Sequence, residues 1–453
     1  MPPKGESVQS SPTPLAVFGL AALALSPFSM VHGNTRLLIS AAVLAIYVAV
    51  RPKILGEQGI SPAEILDRGR LRQIYMWFAL LLFHALFCSV ISATILLQDG
   101  DATGSEILNR GGTQLGTVLL NFLEIVCGFH MAQYVRPKKI RAIIYTTFWI
   151  TIAGCIYQNI SDSLGLPYLG LMRAWDPVTG LRPSGFAHEP KNLSGYLISA
   201  VVLLLTDSLG RRKIKIAVPV LRVLGLVLGV YFFFQTASGN GYTAAALLVI
   251  IYFFAFPTAR RTLLGIVLVL LVASIISVAS ISIWDLDLRQ SHQTVLANIS
   301  NLDLGLLDDL IALPMMAWRD NPLSLLIGFG PGLMHFFANR YIDLAVWLPG
   351  GTYIDGNLSA IMYVSNYGLL ASLFLIPYVF RKAVRLVKAS ENSADRPIHL
   401  YFLSTFVVGV TISGNLSGPL FLSIGWILGK AQAQLEIYQG TGIHPLEATR
   451  ANP

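Results

Sequence analysis

The chain has 453 residues, of which 54% are hydrophobic and only 12% are charged. A soluble globular protein carries about a quarter charged residues, so this composition excludes an ordinary soluble enzyme. The formal net charge is +8, which in an apolar chain can record membrane topology instead of nucleic-acid binding. The three cysteines, Cys88, Cys127 and Cys155, lie inside apolar stretches and are predicted to be buried thiols.

Apolar stretches of about 20 residues, long enough to cross the hydrocarbon core of a bilayer, recur along the chain. The first follows a segment too poor in basic residues for a secretory signal, so we predict a membrane helix there. The pattern predicts an all-α integral membrane protein with about twelve transmembrane helices. These begin near Pro14, Leu37, Ile74, Leu115, Ala142, Lys191, Ile216, Tyr242, Leu263, Leu358, Ile398 and Leu420.

The membrane domain is expected to extend over residues 14–435, between a polar head, residues 1–13, and a polar tail, residues 436–453. Lys and Arg are concentrated in alternate loops and are sparse in the others. The positive-inside rule therefore places the basic loops and both termini in the cytoplasm. The net charge thus indicates topology, and no nucleic-acid partner is expected. The basic loops are residues 51–72, 136–141, 211–215, 260–261 and 381–396.

Two long loops on the outer side contain most of the distinctive polar residues. The shorter extends over residues 159–188, and the larger extends over residues 284–355, between predicted helices 9 and 10. The larger loop contains a predicted amphipathic helix around residues 302–318, and its aromatic side chains suit the membrane interface. These two loops are predicted to form the active-site side of the protein.

A few ionisable residues outside these loops have simpler predicted roles. Arg222, in an apolar stretch, is expected to extend its side chain to the cytoplasmic surface. His84 is expected to be a hydrogen-bond partner in helix packing. Asp99 and Asp101 have the spacing of carboxylates that bind a divalent ion, but close acids arise readily in loops. We therefore expect solvated charges there and predict no required metal.

The end of the shorter outer loop is the most informative stretch. Arg182, His188, Glu189 and Lys191 occur there within ten residues, immediately before an apolar helix. Ionisable groups at the membrane edge are costly unless they pair or bind a ligand. The stretch is therefore either a binding site or an interfacial anchor in which Arg182 pairs with Glu189.

Two further stretches combine glycine with polar residues. Residues 235–242 form a predicted turn containing Ser238, which a simple helical hairpin would also explain. The larger loop contains Gly328, Gly330 and Gly332, where a phosphate could approach the backbone, and it ends near Asn357. A glycine-rich turn alone is weak support for a phosphate site.

In this order and spacing, the three stretches resemble the superfamily of O-antigen polymerases (Wzy-type), O-antigen ligases and exopolysaccharide polymerases. The resemblance covers roughly residues 115–380. It depends on five short motifs taken together. These are Arg182 to Gly185 with Glu189-Pro190, Ser238-Gly239, Gly328 to Gly332, Asn357 and Gly368-Leu369.

The resemblance implies a multi-pass, metal-independent glycosyltransferase of the C-type class in the bacterial inner membrane, without a cofactor. It would polymerise polyprenyl-diphosphate-linked oligosaccharide repeat units on the outer face, among membrane lipids and with a chain-length regulator and a flippase as possible partners. One alternative is an O-antigen ligase that transfers glycan to lipid A core, although Gly356, preceded by Asp355, stands where ligases have a His before the residue matched by Asn357. Another alternative is a transporter or flippase of lipid-linked sugars.

The expected chemistry assigns roles to individual residues. Arg182 would stabilise the leaving diphosphate, because its planar guanidinium binds phosphate bidentately and stays charged. A carboxylate or a neutral imidazole would take the proton of the acceptor hydroxyl, and the candidate bases are Glu189, His188, His335 and Asp355. The predicted substrate-binding residues are Arg319, Arg340, Gly328, Gly330, Gly332, Ser238, Asn357 and Lys191.

Overall fold

The computed structural model describes residues 13–28, 42–43, 45–46, 68–167, 175–176, 180–187, 190–209, 217–236, 238–255, 305–342, 359–391, 393–411 and 417–441. Regular structure in these residues is helical, apart from one short antiparallel pairing of β1 (Trp175–Asp176) with β2 (Gly180–Leu181). The helices are α1 Pro14–Leu25, α2 Arg68–Asp99, α3 Gly104–Tyr134, α4 Pro137–Leu164, α5 Pro190–Leu209, α6 Ala217–Gln235, α7 Gly239–Ala255, α8 Gly305–Asp320, α9 Pro322–Ile327, α10 Met334–Asn339, α11 Ser359–Ala389, α12 Arg396–Thr411 and α13 Ser417–Thr441.

Ten of the twelve predicted apolar stretches coincide with helices. The stretches that begin near Leu37 and Leu263 fall almost entirely outside the described residues. Three of the described helical segments, Ile74–Asp99, Gly104–Tyr134 and Pro137–Ser161, are long and apolar enough to cross a membrane. The protein is therefore all-helical in character and compatible with a membrane protein, and the number of twelve spans stays a prediction.

Helices α3 and α13 form the most closely packed pair of the main core. At Gly425 of α13, a Cβ would lie 2.9 Å from the Cα of Ile125, and at Gly128 of α3 a Cβ would lie 3.0 Å from the backbone nitrogen of Trp426. Small residues let two helix backbones approach in this way, which is how membrane helices gain van der Waals contact. Phe129 and Trp426 are buried beside the contact.

A buried ionic network joins α4, α5 and α6. The Asp207 carboxylate on α5 pairs with Arg141 Nη1 of α4 at 2.9 Å and with Arg222 Nη2 of α6 at 3.0 Å, and its side chain is only 3% exposed. The Tyr145 hydroxyl donates a third bond to Asp207 at 2.8 Å. The prediction that Arg222 reaches the surface is wrong, because the facing helix supplies a buried carboxylate.

The same network defines one end of the helical bundle. Arg141 Nη2 also donates to the carbonyl oxygen of Ala394, in the segment between α11 and α12, at 2.6 Å. The start of α4 and the end of α11 therefore lie at the same end. We call it the basic end, because it carries Arg136, Lys138, Lys139, Arg381, Arg385 and Lys388.

The short helices α8, α9 and α10 build a second hydrophobic core against α2. Trp318 of α8 and Phe337 of α10 pack there with Leu96 of α2 and Phe329 of the intervening turn. The predicted amphipathic helix of the larger loop is confirmed as α8, whose residue Met315 is exposed. The three cysteines are buried and free, as predicted.

Candidate functional site

The turn that carries Arg182 is held by one buried amide side chain. Gln158 of α4 donates from Nε2 to the Gly185 carbonyl at 2.7 Å, and its Oε1 accepts from the backbone nitrogens of Ser184 at 3.1 Å and Gly185 at 2.9 Å. Gly185 has a φ of 58°, and a Cβ there would lie 3.1 Å from the Cys155 sulfur. The motif glycine is therefore required by both backbone conformation and space.

Arg182 connects this turn to the hairpin between α6 and α7. Its Nε donates to the Thr236 carbonyl oxygen at 2.8 Å, at the carboxyl end of α6. Ser238, on the other side of the hairpin, accepts from the Gly241 backbone nitrogen at 3.3 Å and so stabilises the start of α7. Two stretches that are far apart in the sequence thus meet at a single guanidinium.

Further polar groups lie at the ends of the same helices. Asn159 Nδ2 of α4 donates to Gln235 Oε1 at 3.0 Å, and Gln235 Nε2 donates to the Tyr231 hydroxyl at 2.7 Å. Lys191 lies in the first turn of α5, and its carbonyl accepts from the Ser194 hydroxyl at 2.7 Å. The sequence prediction missed Gln158 and Asn159, although two adjacent amides at the end of an apolar stretch were a usable signal.

The glycine turn of residues 328–332 is buried and packs against α2 and α3. Gly330 has a φ of 87°, and a Cβ there would lie 2.7 Å from the backbone nitrogen of Ser89. Gly332 has a φ of 76°, and a Cβ there would lie 2.6 Å from Gln114 Cγ. Arg110 Nε donates to the Gly332 carbonyl at 3.2 Å. These two glycines therefore let the turn fit against neighbouring helices.

Gly328, the remaining glycine of the turn, packs against α11 at Gly368, where the helix is interrupted. The φ of Gly328 is 94° and that of Gly368 is 77°, and a Cβ on Gly328 would lie 2.7 Å from the Gly368 nitrogen. His84 of α2 donates from Nε2 to the carbonyls of Ile327, at 2.7 Å, and of Tyr367, at 3.0 Å. His84 is thus the packing partner that was predicted, and it joins both sides of the crossing.

Arg340 lies in an ion cluster on the protein surface. Its Nη2 pairs with Asp99 at 2.7 Å and also with Asp101, and its guanidinium lies 4.9 Å from the centre of the Phe337 ring. Asp99 and Asp101 are exposed, as predicted, and their carboxylates also bind this arginine, a pairing that the prediction did not include. The pairing joins the turn between α2 and α3 to the end of α10.

Arg319 belongs to the neighbouring part of this surface. Its side chain is 70% exposed and pairs with Asp320 at 3.0 Å. The hydrogen bond from the Tyr341 hydroxyl and the bond from Arg319 hold the pKa of Asp320 below its ordinary value, and the charge of Arg340 adds to this effect. Among the described side chains of this surface, three carboxylates thus accompany two guanidiniums, which disfavours a doubly charged anion here.

Of the remaining residues predicted for the site, one is described by the structure and four are not. His335 Nε2, in α10, lies 3.0 Å from the Asn339 amide nitrogen. His188, Glu189, Asp355 and Asn357 lie outside the described residues. The described site residues therefore lie in two regions. Arg182, Lys191 and Ser238 lie among α4 to α7, whereas Arg319, Arg340, His335 and the glycine turn belong to the segment from α8 to α10.

Comparison with known proteins adds no assignment. No protein-family model and no curated protein matches the sequence. Within the described part of the chain, no group of three or more His, Cys, Asp or Glu side chains is arranged to hold a metal ion. The geometry around Arg182 is therefore the basis for a functional assignment.

Replacing Gln158 with leucine is expected to loosen the Arg182 turn. The change removes three hydrogen bonds and leaves buried backbone groups of Ser184 and Gly185 unsatisfied, at a cost of about 1–3 kcal/mol for each such group. Thermal unfolding of the detergent-solubilised protein measures the loss. The matched control is Gln98→Leu on the exposed face of α2, and equal unfolding of the two variants would contradict the role of Gln158.

Proposed function

We propose that the protein is a membrane glycosyltransferase that polymerises polyprenyl-diphosphate-linked oligosaccharide repeat units. One observation carries the proposal. The Arg182 turn and the α6–α7 hairpin, two of the stretches on which the resemblance depends, meet through the bond from Arg182 to the Thr236 carbonyl. A half-buried arginine held between helix ends is suited to bind a diphosphate at the edge of a membrane.

The proposed reaction is an inverting displacement at the anomeric carbon of the growing chain. An acceptor hydroxyl on the incoming repeat unit forms the new glycosidic bond and gives its proton to a base. The bond from the anomeric carbon to the diphosphate oxygen breaks, and its electron pair leaves with polyprenyl diphosphate. Arg182 stabilises the charge that develops on this leaving group. The base is Glu189, His188, His335 or Asp355.

The proposed orientation follows from the charges at the two ends of the bundle. The basic end faces the cytoplasm of a bacterial cell, by the positive-inside rule, and the Arg182 turn then lies at the outer face of the inner membrane. Nucleotide sugars are cytoplasmic, so an outward site requires a donor carried by lipid. We also propose that the chain crosses the membrane twelve times, with both termini in the cytoplasm. The proposed partners are a chain-length regulator and a flippase.

Substitution of Arg182 tests the phosphate role directly. Purified protein in proteoliposomes is given lipid-linked repeat units, and the lengths of the products are measured. Arg182→Ala is expected to lower the elongation rate by about 100-fold or more, because one donor to a developing negative charge is typically worth about that much. Arg182→Lys is expected to retain part of the rate, since lysine keeps the charge but not the planar fork.

The matched control is Arg136→Ala, which removes an exposed arginine at the basic end. Elongation unchanged by Arg182→Ala would contradict the proposal. A deletion strain separates the other functions, because loss of a polymerase leaves single repeat units attached to the acceptor lipid. Long unattached chains would indicate a ligase instead. Flux of labelled lipid-linked sugar without a change in glycan length would indicate a transporter.

A further inference from the structure

A large apolar cavity lies among α2, α3, α11 and α13. Its volume is about 500 Å³, within the range of small-ligand pockets. Its walls include Trp77 of α2, Phe122 and Phe129 of α3, Phe374 of α11 and Phe421 of α13. Arg182 does not line this cavity. None of the other described residues predicted for the site lines it either, so an inference about the cavity does not depend on the proposed function.

The cavity borders exposed apolar surface of α2 and α11. Two of its lining residues, Leu80 of α2 and Phe374 of α11, are 55% and 59% exposed. The neighbouring surfaces of these helices are also apolar, with Phe83 and Leu373 exposed. In a membrane-spanning chain, large exposed apolar side chains contact lipid, so hydrocarbon chains can enter the cavity from the bilayer.

Polar groups are placed at the end of the cavity nearest the basic end. Lys382 of α11 and Gln432 of α13 line it there, and Lys382 Nζ lies 5.6 Å from the centre of the Tyr378 ring. Among the described residues, no carboxylate pairs with Lys382. Three more cations, Arg381, Arg385 and Lys388, are exposed on the same end of α11. An apolar cavity thus ends in a cationic mouth.

We propose that this cavity binds one acyl chain of an anionic phospholipid, whose headgroup phosphate lies at Lys382. Inside the cavity, the acyl chain replaces water or empty space and contacts the apolar walls. The headgroup then lies where lysine and its neighbouring cations complement a negative charge, as in the recognition of anionic lipids by basic membrane-proximal segments. A zwitterionic lipid contacts the apolar walls equally well, but it lacks the net negative charge that the cations at the mouth attract.

Lipid binding to the purified full-length protein tests this proposal. The protein is delipidated in detergent, and native mass spectrometry measures binding of phosphatidylglycerol and phosphatidylcholine with matched chains. The wild type is expected to bind one phosphatidylglycerol with about tenfold preference over phosphatidylcholine, because cations at the mouth attract a headgroup with a net negative charge. Lys382→Ala is expected to remove the preference. Ala371→Trp, which fills part of the cavity, is expected to weaken the binding of both lipids.

Matched controls separate the site from general lipid contact. Lys138→Ala removes an exposed cation of α4 that belongs to neither the cavity nor its mouth, and Leu373→Trp adds an indole on the exposed face of α11. Both are expected to bind lipid as the wild type does, and unfolding curves establish that each variant is folded. Equal binding of the two lipids by the wild type, or wild-type binding by both Lys382→Ala and Ala371→Trp, would overturn the proposal.

Discussion

Replacing Asp207 with asparagine is expected to lower the free energy of unfolding by about 3–5 kcal/mol, the cost of removing one partner from a buried ion pair. The carboxylate is shared by Arg141 and Arg222, both of which are nearly buried, and it also accepts a bond from Tyr145. Asparagine has nearly the same shape, so the loss isolates the charge. Denaturant titration of the detergent-solubilised protein, followed by circular dichroism, measures it.

The control for Asp207 is Asp320→Asn, in which the arginine partner is largely exposed. Exposed ion pairs contribute little, so this variant is expected to unfold like the wild type. A second variant, Asp207→Asn with Arg222→Gln, is expected to recover part of the lost stability, because one uncompensated buried cation is removed. Similar unfolding of Asp207→Asn and Asp320→Asn would show that the network does not stabilise the fold.

The helices were predictable because each is a local property of the sequence. Apolar stretches of membrane length specify helices without reference to the rest of the chain, and α8 begins and ends within three residues of its prediction. The pairing of Arg222 was not predictable in this way. Its partner Asp207 lies on another helix, and the sequence does not show which sides of two helices are in contact.

The candidate site shows the same division between local and distant information. Arg182 stands out in the sequence because charged groups cluster beside an apolar stretch. Gln158, which holds the Arg182 turn, is uncharged and gives no periodic signal, so only its position beside Asn159 at the end of an apolar stretch could have indicated it. The glycines of the turn were recognised, but their close packing against α2, α3 and α11 depends on contacts between distant segments. The sequence therefore indicated candidate chemistry better than the contacts that support it.

Replacing Gly368 with alanine is expected to disrupt the crossing between the glycine turn and α11. Gly368 has a φ of 77° and a ψ of 166°, a conformation that is essentially restricted to glycine and costs other residues about 1–3 kcal/mol. A Cβ would also lie 2.6 Å from the Gly328 nitrogen, so one of the two backbones must move. That movement separates the carbonyls of Ile327 and Tyr367 that His84 binds together. We expect a lower melting temperature and, under the proposed function, loss of most elongation activity.

A second glycine supplies the control that separates backbone strain from packing. Gly100, in the turn after α2, has a φ of 75°, but a Cβ there would have no atom within 4 Å. Gly100→Ala therefore carries the cost of a positive φ alone, whereas Gly368→Ala adds the collision with Gly328. Gly368→Ala is expected to melt at a lower temperature than Gly100→Ala, because its ψ of 166° and the collision with Gly328 both add to the cost of a positive φ. If the two variants have the same melting temperature, the crossing does not require a close approach of the two backbones, and the glycine turn is not held against α11 by close packing.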